Sequence, residues 1–395
     1  MVDFANGKIQ AFVGPPELGA SNDLEKVIID FIEGAEKTLD IAVQEIDSEI
    51  IAQAIIDVRW RGVKVRVFVE HDYIYDPKPP EKRAKPEEDE ELVDARLRAQ
   101  WNEYRRPEYI KTNRDIHMAL LRNGIDIKAD YNHNHIFHQK FIIRDRRTKN
   151  MILPTSAILT GSTNFTYTGT HKNLNHIVIF KDPTIAWQYQ EEFKEIRQGI
   201  FGIASDTHEP KPSTINIEKV PVQILFAPDH APELEIVKQV LKCQDRLHFA
   251  IFTFSGSSGI DDAMIAIRAA GRSIRGVIDP GQGLRKWAAT KWLHDKGIDL
   301  FVPRRSTKFG KLHHKLMIID DDIVVAGSMN YTRPANEYND ENIFIIGSPY
   351  DLGDHEGGPV DHAACKEIAD FFRDEIERII SNLSYSYVSD SNGPS

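Results

Sequence analysis

Short apolar runs rich in Val, Ile and Phe recur along the chain and alternate with segments whose apolar positions follow a helical period. LDIAVQEI from Leu39 and WRGVKVRVFVE from Trp60 read as strands, and SEIIAQAIIDVRWRG between them reads as an amphipathic helix. RNGIDIKAD, HQKFIIRD, AILTGSTN and NLNHIVIF continue the strand series. The second half repeats the order: LHFAIFTF, the helical GIDDAMIAIRAAG, AAGRSIRGVID, DKGIDLFVP, HHKLMIID, IVVAGSMN and NDENIFII. A duplicated unit of this kind changes how every later pattern is read. It predicts an α/β fold made of two similar units, each with a mixed central sheet.

The repeat also exposes what does not repeat. Gly62 and Gly124 stand about 36 residues farther apart than their counterparts Gly271 and Gly297, so the first half carries an insertion over about 73–109. It opens with Pro and charge and continues as a polar helical pattern, the signature of a solvated excursion, with a lid or docking arm as the alternative. ASDTHEPKPSTINIEK mixes Pro, Ser, Thr and charge without apolar period and predicts a linker, which gives domains 1–210 and 211–395 with the boundary near Lys211.

Composition narrows the class without naming a chemistry. With 395 residues, 41% hydrophobic and 28% charged, the chain is an ordinary globular protein. No apolar run reaches the roughly 18 residues of a membrane-spanning helix, and MVDFANGKIQ lacks a secretory pattern, so the expected location is cytoplasmic. Cys243 and Cys365 are too few for a disulfide framework and have no metal-ligand spacing. The net charge of -11 argues against general adhesion to nucleic acid and leaves room for a local basic groove.

The chemistry-bearing pattern occurs twice. HQKFIIRD supplies His138, Lys140 and Asp145, followed by Ser162 and Asn164 in GSTN; HHKLMIID supplies His313, Lys315 and Asp320, followed by Ser328 and Asn330 in GSMN. One chance match to H-x-K-x-x-x-x-D is expected in roughly 5% of chains of this composition, so two matches, each trailed by G-S-x-N, are not coincidence. Residues two apart on a strand share a face, so each His–Lys pair can face one phosphate. Two ammonium groups favour a phosphodiester and, more strongly, its five-coordinate transition state. Asn164 and Asn330 add amide donors, with Ser162 and Ser328 as further donors, and two histidines can divide nucleophile and acid between them.

These motifs make the chain resemble the phospholipase D superfamily from about Leu39 to Ile346. The resemblance implies two α/β units packed as a pseudo-dimer with both motifs meeting at the interface. It also implies metal-independent, cofactor-free hydrolysis of a phosphodiester through a phosphohistidine. In that family a downstream carboxylate usually orients each histidine; Glu341 of NDENIFII fits this place for His313, whereas the first half departs from the pattern, since alignment sets Asn175 of NLNHIVIF as the counterpart for His138. On that pairing the amide-supported His138 is the nucleophile and the carboxylate-supported His313 the general acid. Asp145 and Asp320 fall on the opposite strand parity and are read as structural, pairing with a nearby backbone donor or base.

Three further features bear on the site. His133, His135 and His138 have alternating spacing that could hold a metal, yet the second half has no equivalent, so the reading is no metal. His314 falls on the other face as a packing or surface residue. The loop PRRSTKFGK offers Arg304, Arg305, Lys308 and Lys311 as substrate-backbone contacts immediately before His313, whereas Arg146, Arg147 and Lys149 read as distal.

The partner is therefore a phosphodiester, and nucleic acid is preferred over phospholipid because of the basic loop and the lack of an apolar interfacial helix. A phospholipase D or cardiolipin synthase-like enzyme is the alternative, and a silent phosphate-binding module is a second one.

Overall fold

The computed structural model describes residues 2–73, 107–131, 135–147, 152–205, 212–350 and 358–389. The bulk of the expected insertion, the boundary at Lys211, His133 and Lys149 lie outside the described residues.

The first half forms an eight-stranded sheet from β1 (Val2–Phe4), β2 (Ile9–Gly14), β3 (Thr38–Val43), β4 (Lys64–Val69), β5 (Asp126–Ala129), β6 (Lys140–Arg144), β7 (Ala157–Gly161) and β8 (Asn175–Phe180). Its order is β1-β2-β8-β7-β6-β3-β4-β5. The second half forms a nine-stranded sheet from β9 (Ile215–Ile217), β10 (Val220–Ala227), β11 (Arg246–Ile251), β12 (Ser273–Ile278), β13 (Asp299–Pro303), β14 (Lys315–Ile319), β15 (Ile323–Gly327), β16 (Glu341–Ile346) and β17 (Ser384–Ser386). Its order is β17-β13-β12-β11-β14-β15-β16-β10-β9.

Both sheets are mixed, as the alternation of strand and helix predicts: β3 pairs with β4 in parallel and β6 antiparallel, and β11 does the same with β12 and β14. The motif strands β6 and β14 sit in the middle of their sheets, buried on both faces, which is why KFIIR and KLMII read as nearly continuous apolar runs.

The outer face of each sheet packs on its own helices, Leu24–Glu33 and Glu49–Trp60 in the first half and Pro232–Leu241 and Ile260–Ala269 in the second. The inner faces share one core. Phe141, Phe180 and Ile158 of the first sheet meet Ile224, Leu316 and Phe344 of the second, together with Tyr189, Phe193, Phe372 and Ile376 from two interface helices. This common core holds the two units together at the place where the motif strands begin.

Two parallel bridges run across that seam in matching positions, Phe137 with Asp340 and Leu174 with Leu312. The amide of His138 donates to the carbonyl of Asp340 at 2.9 Å and that of His313 to the carbonyl of Leu174 at 2.9 Å. Each motif histidine is thus pinned to the opposite half.

Candidate active site

The turn that precedes each motif is set by a carboxylate at the end of the strand two places over. Glu70 follows β4 and accepts from the Phe137 amide at 2.5 Å; Asp279 follows β12 and accepts from the Leu312 amide at 2.9 Å. Burial pushes Glu70 up to about 9, with nearby Asp130 adding to it. Neither residue was read from the sequence, although WRGVKVRVFVE set against AAGRSIRGVID places them opposite one another.

At the mouth of this seam the rings of His138 and His313 stand 6.4 Å apart at 69°. Both side chains are almost fully buried. At that separation two imidazoles can each come within about 3 Å of atoms of a single phosphate group.

Their orientation corrects the sequence pairing. Nδ1 of His138 faces Oε2 of Glu341 at 2.7 Å, and Nδ1 of His313 donates at 3.0 Å to both Oδ1 of Asn175 and the carbonyl of Ser162. The orienting groups are exchanged between halves. Asn175 and Glu341 start β8 and β16, which lie two strands from β6 and β14 in their own sheets, about 9 to 10 Å away. That is too far for an in-house bond, whereas the seam brings each to the opposite histidine. The amide-supported histidine is therefore His313, and the carboxylate-supported one is His138.

A second correction concerns the serines. Ser328 Oγ donates to Glu341 Oε2 at 2.6 Å, and Ser162 Oγ donates to Asn175 Oδ1 at 2.7 Å. Both hydroxyls are buried and committed to the groups that orient the histidines, so they are not donors to a phosphate.

The lysines fill the floor. Lys140 Nζ donates to the His138 carbonyl at 2.7 Å and Gln44 Oε1 at 3.3 Å; Lys315 Nζ donates to the His313 carbonyl at 2.9 Å. Asn164 Nδ2 also donates to Gln44 Oε1 at 3.3 Å. Asn330 occupies the matching turn after β15.

Burial dominates the electrostatics. It holds His138 well below the ordinary imidazole range, with Lys140 and Lys315 adding to the effect, and it does the same to His313, helped first by Lys315. Lys140 is brought down to about 7 and Lys315 well below its ordinary value, in each case by burial first. Burial raises Glu341 to about 8, while Lys140, the Ser328 hydroxyl and Lys315 favour its carboxylate. A cationic pocket in which cations are this costly is one that an anion would stabilise.

Asp145 and Asp320 have the structural place expected of them. Asp145 accepts from the amides of Glu36, Lys37 and Thr38, and Asp320 from those of Gln244, Asp245 and Arg246. His314 is wholly buried in the seam, its ring stacked on His176 with the Nδ1 atoms 3.1 Å apart.

The loop before His313 divides. Lys311 reaches the site, its Nζ 5.6 Å from the ring centre of Phe252, which lies 4.9 Å from the His313 ring. Lys308 is exposed. Arg305 donates to the Pro280 carbonyl at 3.2 Å, joining this loop to the next. Arg304 donates to the carbonyl of Ser384 on β17, so it fastens the edge strand. The joined segment Leu284–Trp287 adds exposed Arg285 and Lys286, with Leu284 48% and Trp287 50% exposed.

His135 stacks on Tyr338 at 4.8 Å, and His138 is engaged with Glu341. Among the described residues, the groups with metal-ligand geometry are Glu70–His71–Asp72 and Glu192–Glu195–Asp229; neither includes a motif histidine. No helix among them is long and apolar enough to cross a membrane.

A family model described as cardiolipin synthase, PLD-like domain, matches residues 28–197 and 236–356. Phospholipase D of Rickettsia prowazekii is 29% identical over 125 residues, 32% of this chain and 59% of that protein. Mitochondrial cardiolipin hydrolase of Xenopus tropicalis is 29% identical over 106 residues, 27% of this chain and 49% of that protein. The chain thus spans about half the length of these curated relatives. Phosphatidylserine synthase of Haemophilus influenzae Rd KW20 shares the fold over 98% of this chain and 88% of its own, with a TM-score of 0.60 and 12% identity.

Proposed function

Because the chain belongs to the phospholipase D superfamily, we propose that it hydrolyses a phosphodiester through a phosphohistidine on His138, with a polynucleotide as substrate. The observation that carries the chemistry is the pair of imidazoles 6.4 Å apart, each with Nδ1 held by an acceptor. Both Nε2 atoms are then left for the pocket. Nε2 of His138 forms the P–N bond while the P–O bond to the leaving group breaks, and the proton on Nε2 of His313 goes to the departing oxygen.

The exchange of supports reverses the reason drawn from the sequence: His138 is assigned as nucleophile because the carboxylate of Glu341 balances the positive charge that it acquires on attack, and not because an amide keeps it neutral. Water then attacks the same phosphorus, His313 takes its proton, and the P–N bond breaks. Lys140, Lys315, Asn164 and Asn330 hold the non-bridging oxygens throughout, and no step needs a metal.

The polynucleotide reading rests on the rim. Arg285, Lys286, Arg305, Lys308 and Lys311 come from two loops whose one acid, Asp279, is buried and bonded to the amides of Gly281, Gln282 and Leu312, in a chain of net charge -11. Such a rim suits a run of phosphates, and Trp287 offers a face on which a base can stack. We place this activity in the cytoplasm, a reading supported by Cys243 and Cys365 being free thiols.

A second reading, a phospholipid substrate, is favoured by the names of the curated relatives and by exposed Leu284 beside Trp287, a pair that can enter a headgroup layer. Parallel assays on single-stranded DNA, duplex DNA, RNA, and phosphatidylcholine or cardiolipin vesicles separate the two. Scission of a polynucleotide that weakens steeply with salt, while bis(p-nitrophenyl) phosphate turnover does not, is the expected result. Headgroup release with no scission would reject the polynucleotide. Binding without turnover on any diester would point to a silent phosphate-binding module.

A further inference from the structure

The site is built twice, and where the two copies differ their roles can differ. Gln44 and Phe252 stand at the same place in the two halves, one residue beyond β3 and β11. The Gln44 amide donates to the Gln139 carbonyl at 3.0 Å, and the Phe252 amide donates to the His314 carbonyl at 2.9 Å. Backbone, histidine, lysine and asparagine all repeat around this position. The side chain does not.

On the first side Gln44 is a hydrogen-bonding hub. Its Oε1 accepts from Lys140 and Asn164, both at 3.3 Å, and its Nε2 donates to the Tyr73 hydroxyl at 3.2 Å. Two phosphate-binding side chains are thereby tied together beside the nucleophile. On the second side the Phe252 ring lies 4.9 Å from the His313 ring at 55°, 5.0 Å from Lys315 Nζ and 5.6 Å from Lys311 Nζ. A ring face attracts cations and offers no acceptor in the manner of an amide oxygen.

Three consequences follow for His313. Burial and three neighbouring lysines disfavour its cationic form, and an aromatic face at this distance partly offsets that cost. A ring in this position presents no amide to which an imidazolium proton could be diverted. It also keeps Lys315 from being drawn aside by a side-chain acceptor, so the ammonium stays available to the phosphate.

We propose that Phe252 is a positioning residue that dedicates His313 to delivering its proton to a poor leaving group. The inference rests on the hydrolase reading above and concerns which half performs which step. Gln44 and Phe252 then mark the nucleophilic and the leaving-group sides, independently of the Glu341 and Asn175 pair.

The test compares two leaving groups in the full-length chain. Nitrophenolate departs with little protonation, whereas an alkoxide requires it. Wild type, Phe252→Gln and Phe252→Leu are assayed on bis(p-nitrophenyl) phosphate and on an alkoxide-leaving diester that wild type turns over, thymidylyl-thymidine or phosphatidylcholine. Phe252→Gln should lower kcat on the alkoxide substrate about 30-fold and move its alkaline limb to lower pH, with less than about a threefold change on the nitrophenyl diester. Phe252→Leu, which keeps apolar bulk without a cation-attracting face, should fall between. Equal losses on both substrates, or no loss on either, would overturn the role of Phe252. Wild type inactive on every diester would reject the hydrolase reading itself, and melting curves distinguish an unfolded variant, in which case Phe252→Leu alone decides.

Discussion

Glu341 reaches across the seam between the two halves and places Oε2 2.7 Å from Nδ1 of His138, while Asn175 crosses the other way to His313. This exchange makes each histidine depend on the half that does not contain it. A carboxylate beside His138 stabilises a phosphoimidazolium, so Glu341→Gln should lower the rate of phosphoenzyme formation about 100-fold while leaving its hydrolysis less affected. Rapid-quench measurement of the burst on bis(p-nitrophenyl) phosphate separates the steps. A loss confined to hydrolysis would mean that Glu341 serves the other half-reaction.

The sequence carried the repeat, the two mixed sheets and both motifs, because strand periodicity and motif spacing are local properties. Strand parity reads Asp145 and Asp320 as structural, but they stand one residue past β6 and β14 with φ of 52° and 51°, so the turn and not the pleat aims them at backbone amides. The partners of the histidines were not legible in this way. Aligning NLNHIVIF with NDENIFII correctly pairs Asn175 with Glu341 as equivalents, but equivalence does not say which histidine each one meets. Only the seam, with Phe137 bridged to Asp340 and Leu174 to Leu312, decides that. Gln44 and Phe252 were visible in LDIAVQEI and LHFAIFTF, yet a glutamine and a phenylalanine at a strand end carry no motif. Arg304 looked like part of a basic run until its bond to Ser384 showed it fastening β17.

A single shared site predicts that the histidines fail together. His138→Ala and His313→Ala should each lower kcat by about 10³-fold or more on an alkoxide-leaving diester, with melting temperatures close to wild type. Half of the wild-type rate in either variant would indicate two independent centres.

The pH profile should have an alkaline limb set by the floor of the pocket. Lys140 is brought down to about 7 by burial, so raising the pH through about 7 removes its charge and weakens phosphate binding. The expected result on bis(p-nitrophenyl) phosphate, whose leaving group needs little of the His313 proton, is a kcat/KM that falls above about pH 7. In Lys140→Arg, whose guanidinium does not titrate in this range, the residual activity should lose that limb. A limb unchanged in Lys140→Arg would assign it to another group.

On the proposed mechanism Asp145 supports the fold and not the chemistry. Its side chain satisfies three consecutive backbone amides, so Asp145→Ala should destabilise the protein by about 3 kcal/mol with kcat nearly unchanged below the melting transition. Denaturant unfolding followed alongside activity checks both halves of this statement. A large fall in kcat with stability intact would contradict it.

On the proposed mechanism, in which lysine and histidine supply the charge and the nucleophile, activity should survive prolonged dialysis against EDTA. Inactivation that Zn²⁺ or Mn²⁺ reverses would return attention to Glu70, His71 and Asp72.

If His138, backed by Glu341, becomes the covalent intermediate, it can be trapped. Wild type and His313→Ala are mixed with bis(p-nitrophenyl) phosphate, whose leaving group needs little acid assistance, and quenched under alkaline conditions that preserve phosphohistidine. The digest is then mapped by mass spectrometry. A phosphorylated peptide should carry the adduct on His138, accumulating further in His313→Ala because hydrolysis lacks its base. An adduct on His313, or product formation with no adduct on either histidine, would contradict this assignment.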